Sequence, residues 1–342
     1  MEIFVIVLLF LLGIFLIVKG GDYFVEAASW IAEKSGIPKL IIGATIVSLA
    51  TTLPEMLVSI MAALEGKVDM AIGNAVGSVT ANIGLIMAIS IMFMPAVVKR
   101  KDYMLKAILM LLAATFLFIF GRDGQVEFKS SIVLLIIFII SFADNIRLAV
   151  VGAKEKHEHD LIEEKEEKKV VNKLKVKLGL KKERTPKQVL RYELIINIIK
   201  FVLGAAGIVF GADLLTDNGS ELARIIGISE RVIGVTIIAI GTSLPELVTT
   251  ITAIVKKEAS LSAGNIIGAN IIDLTLILPI CSLITGGSLP VSVQSAAIDL
   301  PACLIVGCIA MIPTLITKKF ARWQSILLLV TYIGYMILTI YQ

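Results

Sequence analysis

The chain has 342 residues, 57% of them hydrophobic and 18% charged, with a formal net charge of +4. That is more apolar side chain than one water-soluble core can hide, which argues against a soluble enzyme or a nucleic-acid-binding protein and makes a bilayer the expected solvent. Two histidines and three cysteines, Cys281, Cys303 and Cys308, leave little material for a soft-metal centre or a disulfide framework, and the cysteines read as packing residues.

Runs of roughly 18 or more apolar residues occur ten times, at about 2–19, 40–64, 70–95, 104–120, 130–150, 190–211, 232–255, 260–285, 292–317 and 322–341. Glu2 is the only charge before Lys19, so the first run lacks the basic start of a signal peptide and reads as a retained helix. The first and sixth runs end in Lys19-Gly20-Gly21-Asp22 and Phe210-Gly211-Ala212-Asp213, where the aspartates are expected to cap the helical piece that follows, the alternative being to guard an entrance. Gly73-Asn74-Ala75-Val76-Gly77-Ser78 in the third run and Gly264-Asn265-Ile266-Ile267-Gly268-Ala269 in the eighth have the glycine spacing that lets helix backbones approach. The fourth, fifth, ninth and tenth runs are plain scaffold. Asp144, Asn145 and Arg147 close the fifth and read as interfacial, and Trp323 and Tyr335 suit headgroup level.

Residues 152–188 are the one charged stretch and read as a solvated helix or a disordered linker. Nothing fixes the geometry of its His157, His159 and Asp160 as a metal site, and its basic piece from Val170 to Leu178 is suited to an anionic lipid surface. Lysines and arginines concentrate after odd-numbered spans: Lys99-Arg100-Lys101 follow the third and Lys256-Lys257 the seventh. After even-numbered spans they are sparse, Arg224 and Arg231 after the sixth being typical. Positive charge favours the cytoplasm, so both termini are expected outside and the 152–188 linker inside a cell membrane crossed many times.

One stretch occurs twice. Gly43-Ala-Thr-Ile-Val-Ser-Leu-Ala50-Thr51-Thr52-Leu53-Pro54-Glu55 is matched 191 residues later by Gly234-Val-Thr-Ile-Ile-Ala-Ile-Gly241-Thr242-Ser243-Leu244-Pro245-Glu246, and Gly73, Asn74 and Gly77 recur at the same displacement. Each copy holds five spans, and an odd number inverts the second copy relative to the first. The expected fold is an all-α membrane protein of ten transmembrane helices, two inverted five-helix repeats with broken helices 2 and 7. The repeats are 1–151 (motif 43–86) and 189–342 (motif 234–277), joined by the linker. Alternating-access transporters have this plan, with the site where the copies meet.

A proline inside a helix gives no N–H and clashes with the carbonyl one turn back. Pro54 and Pro245 should therefore free carbonyls near Ala50 and Gly241, and irregular backbone at that depth survives where it lines a cavity or meets a cation. Thr51 and Thr242 stand four residues before Glu55 and Glu246, and Thr52 and Ser243 three, so hydroxyls and carboxylates share a helix face. Asn74, Ser78 and Asn82 make a second oxygen-bearing stripe, matched by Asn265, Ala269 and Asp273. Two carboxylates with hydroxyl, amide and carbonyl oxygens, and no thiolate or imidazole, suit a hard cation. Two glutamates neutralise one divalent ion, and an all-protein oxygen cage favours calcium over magnesium. No zinc-protease or serine-hydrolase motif is present, so no enzymatic role is expected.

These motifs resemble the two repeats of the calcium/cation antiporter superfamily, most closely its prokaryotic sodium/calcium exchanger branch. The resemblance implies exchange of Ca2+ for Na+ by alternating access, with no organic cofactor and a monomer as the working unit; a proton/calcium antiporter (H+ for Ca2+) of the same superfamily is the alternative. It implies four cation positions at mid-membrane. Calcium would lie on Glu55 and Glu246 with Thr51 and Thr242. Sodium would use the same glutamates with Thr52, Ser243, Ser78 and the carbonyls of Ser48 and Ala239, flanked by Asn82 and by an Asp273 expected to be protonated when calcium is bound. Ala50, Thr52 and Ala269 depart from the usual glycine, serine and serine; Ala269 removes one candidate sodium ligand.

Overall fold

In the computed structural model, residues 2–95, 100–175, 186–227 and 239–341 are described, the side chains of 156–175, 186–191, 239–240 and a few isolated positions excepted. Lys99, Arg231, Gly234, Thr236, the opening of the seventh span and the end of the basic piece lie outside the described residues, as do the side chains of His157, His159 and Asp160.

The first helix, α1 (Glu2–Ser35), does not stop at Lys19 but runs on through Gly20-Gly21-Asp22. Its partner α7 (Pro186–Ile225) runs through Gly211-Ala212-Asp213 in the same way. Neither Asp22 nor Asp213 therefore caps a helix; Asp22 instead meets Lys256, whose Nζ donates to the Asp22 carbonyl at 2.7 Å. The glycines serve contact between the two helices. A Cβ on Gly20 would lie 2.8 Å from the Gly204 carbonyl, and one on Gly204 would lie 2.7 Å from the Phe24 nitrogen. A mid-helix glycine costs about 1 kcal/mol against alanine, and backbone-to-backbone packing offsets that cost in a membrane.

The second span is broken. Helix α2 (Lys39–Thr51) and helix α3 (Leu53–Leu64) meet at an angle of 47°, with Thr52 at the joint and Pro54 in the first turn of α3, where the missing N–H is harmless. Within α2 a π-helical turn covers Gly43–Val47. The matching piece of the second copy is α8 (Ala239–Thr242) followed by α9 (Leu244–Val255), with Pro245 placed as Pro54 is.

Helices α4 (Val68–Phe93) and α10 (Ala259–Ile284) are the most deeply buried of the long apolar helices. Each contains a π-helical turn, beginning at Asn82 in one and at Asp273 in the other. They pack with α5 (Arg100–Gly121) and α11 (Ser295–Thr317) around Ile72, Val76, Met110, Ile267 and Met311. Helix α6 (Phe128–Lys175) continues the fifth span well into the charged stretch, and α12 (Arg322–Tyr341) closes the chain. Among the described residues, seven helices are long and apolar enough to cross a membrane, eight with the bent pair counted as one span.

Among the described residues the fold is all-helical apart from one short strand pair, β1 (Gln125–Glu127) antiparallel to β2 (Ser288–Pro290). Two expectations need correction. Asp144 and Asn145 are 6% and 5% exposed and so are not interfacial. Asp144 Oδ2 faces the buried Lys106 Nζ at 3.7 Å, and Asn145 Nδ2 donates to the Ala44 carbonyl inside the π-helical turn of α2. Tyr335 donates to Asp299 at 3.2 Å and is not a free headgroup anchor, whereas Trp323 is half exposed. Cys281 and Cys303 are buried and all three cysteines are unbridged, as packing residues should be.

Gln324 ties the start of α12 to the end of α11. Its Nε2 lies 3.0–3.1 Å from the carbonyls of Ile309 and Ala310 and from Thr314 Oγ1, and its Oε1 accepts from Ala321 N–H at 2.7 Å. Gln324→Leu strands these groups in a dry interface. It should cost about 2–3 kcal/mol, read as a lowered midpoint of thermal unfolding in detergent.

Candidate cation site

The breaks in the two Pro-Glu helices turn Glu55 and Glu246 inward, and both side chains are fully buried. Each copy's hydroxyl meets the other copy's acid: Ser243 Oγ lies 3.4 Å from Glu55 Oε1, and Thr52 Oγ1 lies 3.3 Å from Glu246 Oε1. Thr52 Oγ1 also lies 2.7 Å from the Ser48 carbonyl. Its single proton serves the nearer carbonyl, which leaves an oxygen lone pair for a cation.

Thr51 and Thr242 repeat this crossing. Thr51 Oγ1 donates to Asn265 Oδ1 at 3.2 Å, and Thr242 Oγ1 to Asn74 Oδ1 at 3.4 Å. The amides are then used at their other ends: Asn74 Nδ2 donates to the Glu55 carbonyl at 3.0 Å and to Ser59 Oγ at 2.9 Å, and Asn265 Nδ2 donates to Thr249 Oγ1 at 3.0 Å. Through these bonds Asn74 and Asn265 hold the threonines and the turn carrying Glu55.

What remains open is oxygen. Glu55 Oε2, Glu246 Oε2, both carboxyl oxygens of Asp273 and Asn82 Oδ1 are buried without a hydrogen-bond partner. No ion pair to a basic side chain reaches either glutamate or Asp273 among the described residues. Asp273 lies within electrostatic reach of both glutamates, yet no three acids converge on one compact point among the described residues. The arrangement is a facing pair with a flanking acid. Buried carboxylates without compensation are costly in low dielectric, and a hard cation among these oxygens removes the cost.

Close helix contact fixes the position of this site. Gly264 of α10 lies against the Leu40 carbonyl, and Gly43 against the Leu261 carbonyl. A Cβ on Gly268 would lie 2.7 Å from the Ala44 Cα. Lys39 at the start of α2 closes the same contact with Glu258, Nζ lying 2.6 and 2.7 Å from its two carboxyl oxygens.

The family description "Sodium/calcium exchanger protein" matches residues 5–143 and 196–341, leaving out the charged linker. The chain belongs to this exchanger family. Among its family relatives, the sodium/calcium exchanger MaX1 of Methanosarcina acetivorans is 31% identical over 347 residues, covering 98% of each chain. A membrane protein of Methanocaldococcus jannaschii, MJ0091, is 32% identical over 330 residues, 95% of this chain and 94% of that one. A solved structure of the exchanger NCX_Mj, soaked with sodium and strontium ions, superposes with a TM-score of 0.77 at 29% identity, covering 98% of this chain and 99% of that one.

Of the residues expected at the site of this exchanger-family chain, eight fall into two hydrogen-bonded sets, Glu55 with Ser243, Asn74 and Thr242, and Glu246 with Thr52 and, through Thr249, with Asn265 and Thr51. Asn82 and Asp273 are buried, each at the opening of its π-helical turn. Ser78 is buried one turn before Asn82. The Ser48 carbonyl accepts the Thr52 N–H and hydroxyl and lies 3.3 Å from Thr51 Oγ1, so a sodium ion there must share it. Ala239 opens α8. Asn270, the last residue of the motif Gly264-Asn-Ile-Ile-Gly-Ala-Asn270, was not among the site residues expected from the sequence, and it contacts Asn82 directly.

Proposed function

We propose that the protein is a secondary antiporter that exchanges Ca2+ for Na+ across a cell membrane by alternating access. The observation that carries this is the facing pair Glu55 and Glu246, each in contact with a hydroxyl of the opposite copy and each retaining a buried oxygen without a partner. Membership of the exchanger family supports the same ions.

In this mechanism one calcium ion neutralises the glutamate pair, with Thr51 and Thr242 in its shell. Sodium ions replace it on the same carboxylates, with Thr52, Ser243, Ser78 and the Ser48 and Ala239 carbonyls as further ligands, while Asn82 and Asp273 flank the centre. The empty site, holding bare carboxylates at low dielectric, is too unfavourable to occlude, which makes exchange obligatory. The glycine-lined pair α1 and α7 slides over the remaining bundle to expose the site to either face.

The full layout in this proposal is ten spans in two inverted repeats, 1–151 and 189–342, both termini outside and the 152–188 linker in the cytoplasm. One chain with no organic cofactor suffices. If the entering sodium ions carry one charge more than the departing calcium, a negative-inside membrane adds about 2.3 kcal/mol per 100 mV to calcium extrusion.

Proteoliposomes loaded with calcium should release it when sodium is added outside, with no release in a matched choline salt. A proton gradient imposed without sodium should release none. Release driven by protons alone would replace this function with the proton/calcium alternative, and release independent of either gradient would refute exchange.

A further inference from the structure

Asn270 is a polar side chain that the duplication does not account for. It is fully buried on α10, three residues before Asp273, and the matching position on α4 is Val79. Its Oδ1 accepts a hydrogen bond from Asn82 Nδ2 at 3.2 Å. Two amides that merely tie helices together can join both ways, each donating to the other. Here only one bond forms. Asn82 Oδ1 and Asn270 Nδ2, the complementary acceptor and donor, are both buried and are not joined.

An amide has a donor end and an acceptor end, so committing one end decides what the other offers. With Nδ2 held by Asn270, Asn82 keeps its carbonyl oxygen free, one more buried oxygen without a partner alongside those counted on Asp273 and the two glutamates. Turned the other way, Asn82 would offer an N–H, which repels a cation. A buried carbonyl oxygen left without a partner is unfavourable unless something else takes it, and in a cage of carboxylates that something is a cation.

We propose that Asn270 is a positioning residue for cation binding: without touching the ion, it holds the Asn82 amide with its carbonyl oxygen free for calcium. This rests on the exchange function proposed above. It also explains why the second copy carries an amide where the first has Val79. The repeats differ at the flanking position, Asn82 against Asp273, and a carboxyl group needs no such orientation because, charged or protonated, it has no N–H end and always keeps an accepting oxygen.

The test is calcium binding to the purified full-length protein in detergent without sodium, measured by equilibrium dialysis with radioactive calcium. Asn270→Ser should raise the half-saturating calcium concentration about tenfold, the worth of one charge-assisted contact. Asn270→Leu, which keeps the volume and loses the acceptor, should give the same loss, so a packing defect is told apart from a lost hydrogen bond. In an Asn82→Ala background, Asn270→Ser should cost nothing further, because the residue acts only through Asn82. Unchanged binding in both Asn270 variants, or the full loss persisting when Asn82 is absent, overturns the proposal. Failure of the wild-type protein to bind calcium at all refutes the exchange function instead.

Discussion

Replacing Glu246 by glutamine is expected to lower sodium-driven calcium release from proteoliposomes to the background of protein-free vesicles, a fall of at least about a hundredfold. Glu55→Gln should do the same. Both side chains are fully buried, and each contacts a hydroxyl contributed by the other copy. With one carboxylate removed, a divalent ion would sit in a dry interior with half its charge uncompensated, at a cost of roughly 3 kcal/mol or more by analogy with broken buried ion pairs. The glutamine variants should fold normally, since they remove a buried charge. A size-exclusion profile and melting midpoint like those of the wild type, together with lost transport, would place the effect in the site. If either variant keeps more than half of the wild-type flux, the glutamates do not carry the ion.

The second large effect concerns a pair of glycines 191 residues apart. Gly264 lies so close to the Leu40 carbonyl that even a methyl group has no room, and the obstacle is backbone that cannot rotate away. Gly73, its counterpart in the first copy, has no atom within 4 Å of the place a Cβ would take. Gly264→Ala should therefore force α10 away from α2 and destabilise the protein by about 3 kcal/mol or more, at or above the usual range for overpacking. Gly73→Ala should change the melting midpoint little and in the favourable direction, since alanine is the better helix former. Thermal unfolding of the two variants in the same detergent checks this. Equal effects would mean that the close approach of α2 and α10 is not as described.

The comparison of these glycines also shows how far the chain was readable before its structure. The duplication, the glutamates and their hydroxyl neighbours were legible because a charged, proline-broken helix in an apolar run has few structural uses, and the fixed displacement removes coincidence. Gly20-Gly21-Asp22 misled, because a glycine pair before an aspartate looks like the end of one helix and the cap of the next. The deciding interaction is with Gly204 and Ile208 of another helix far along the chain, and local pattern carries no information about it. Asp144 and Asn145 misled for a related reason. Polar residues near the end of an apolar run are usually at the interface, but here Lys106 and the Ala44 carbonyl, both remote in sequence, provide buried partners. The two π-helical turns that open at Asn82 and Asp273 depend on packing and left no trace in periodicity.

The crossed contacts, Thr52 with Glu246 and Ser243 with Glu55, make the two halves of the chain depend on one another. On the function proposed above, each half lends its hydroxyl to the acid of the other, so neither should transport by itself. A chain cut within the 152–188 connection should still work if both fragments are made in the same cell, and either fragment made without its counterpart should not.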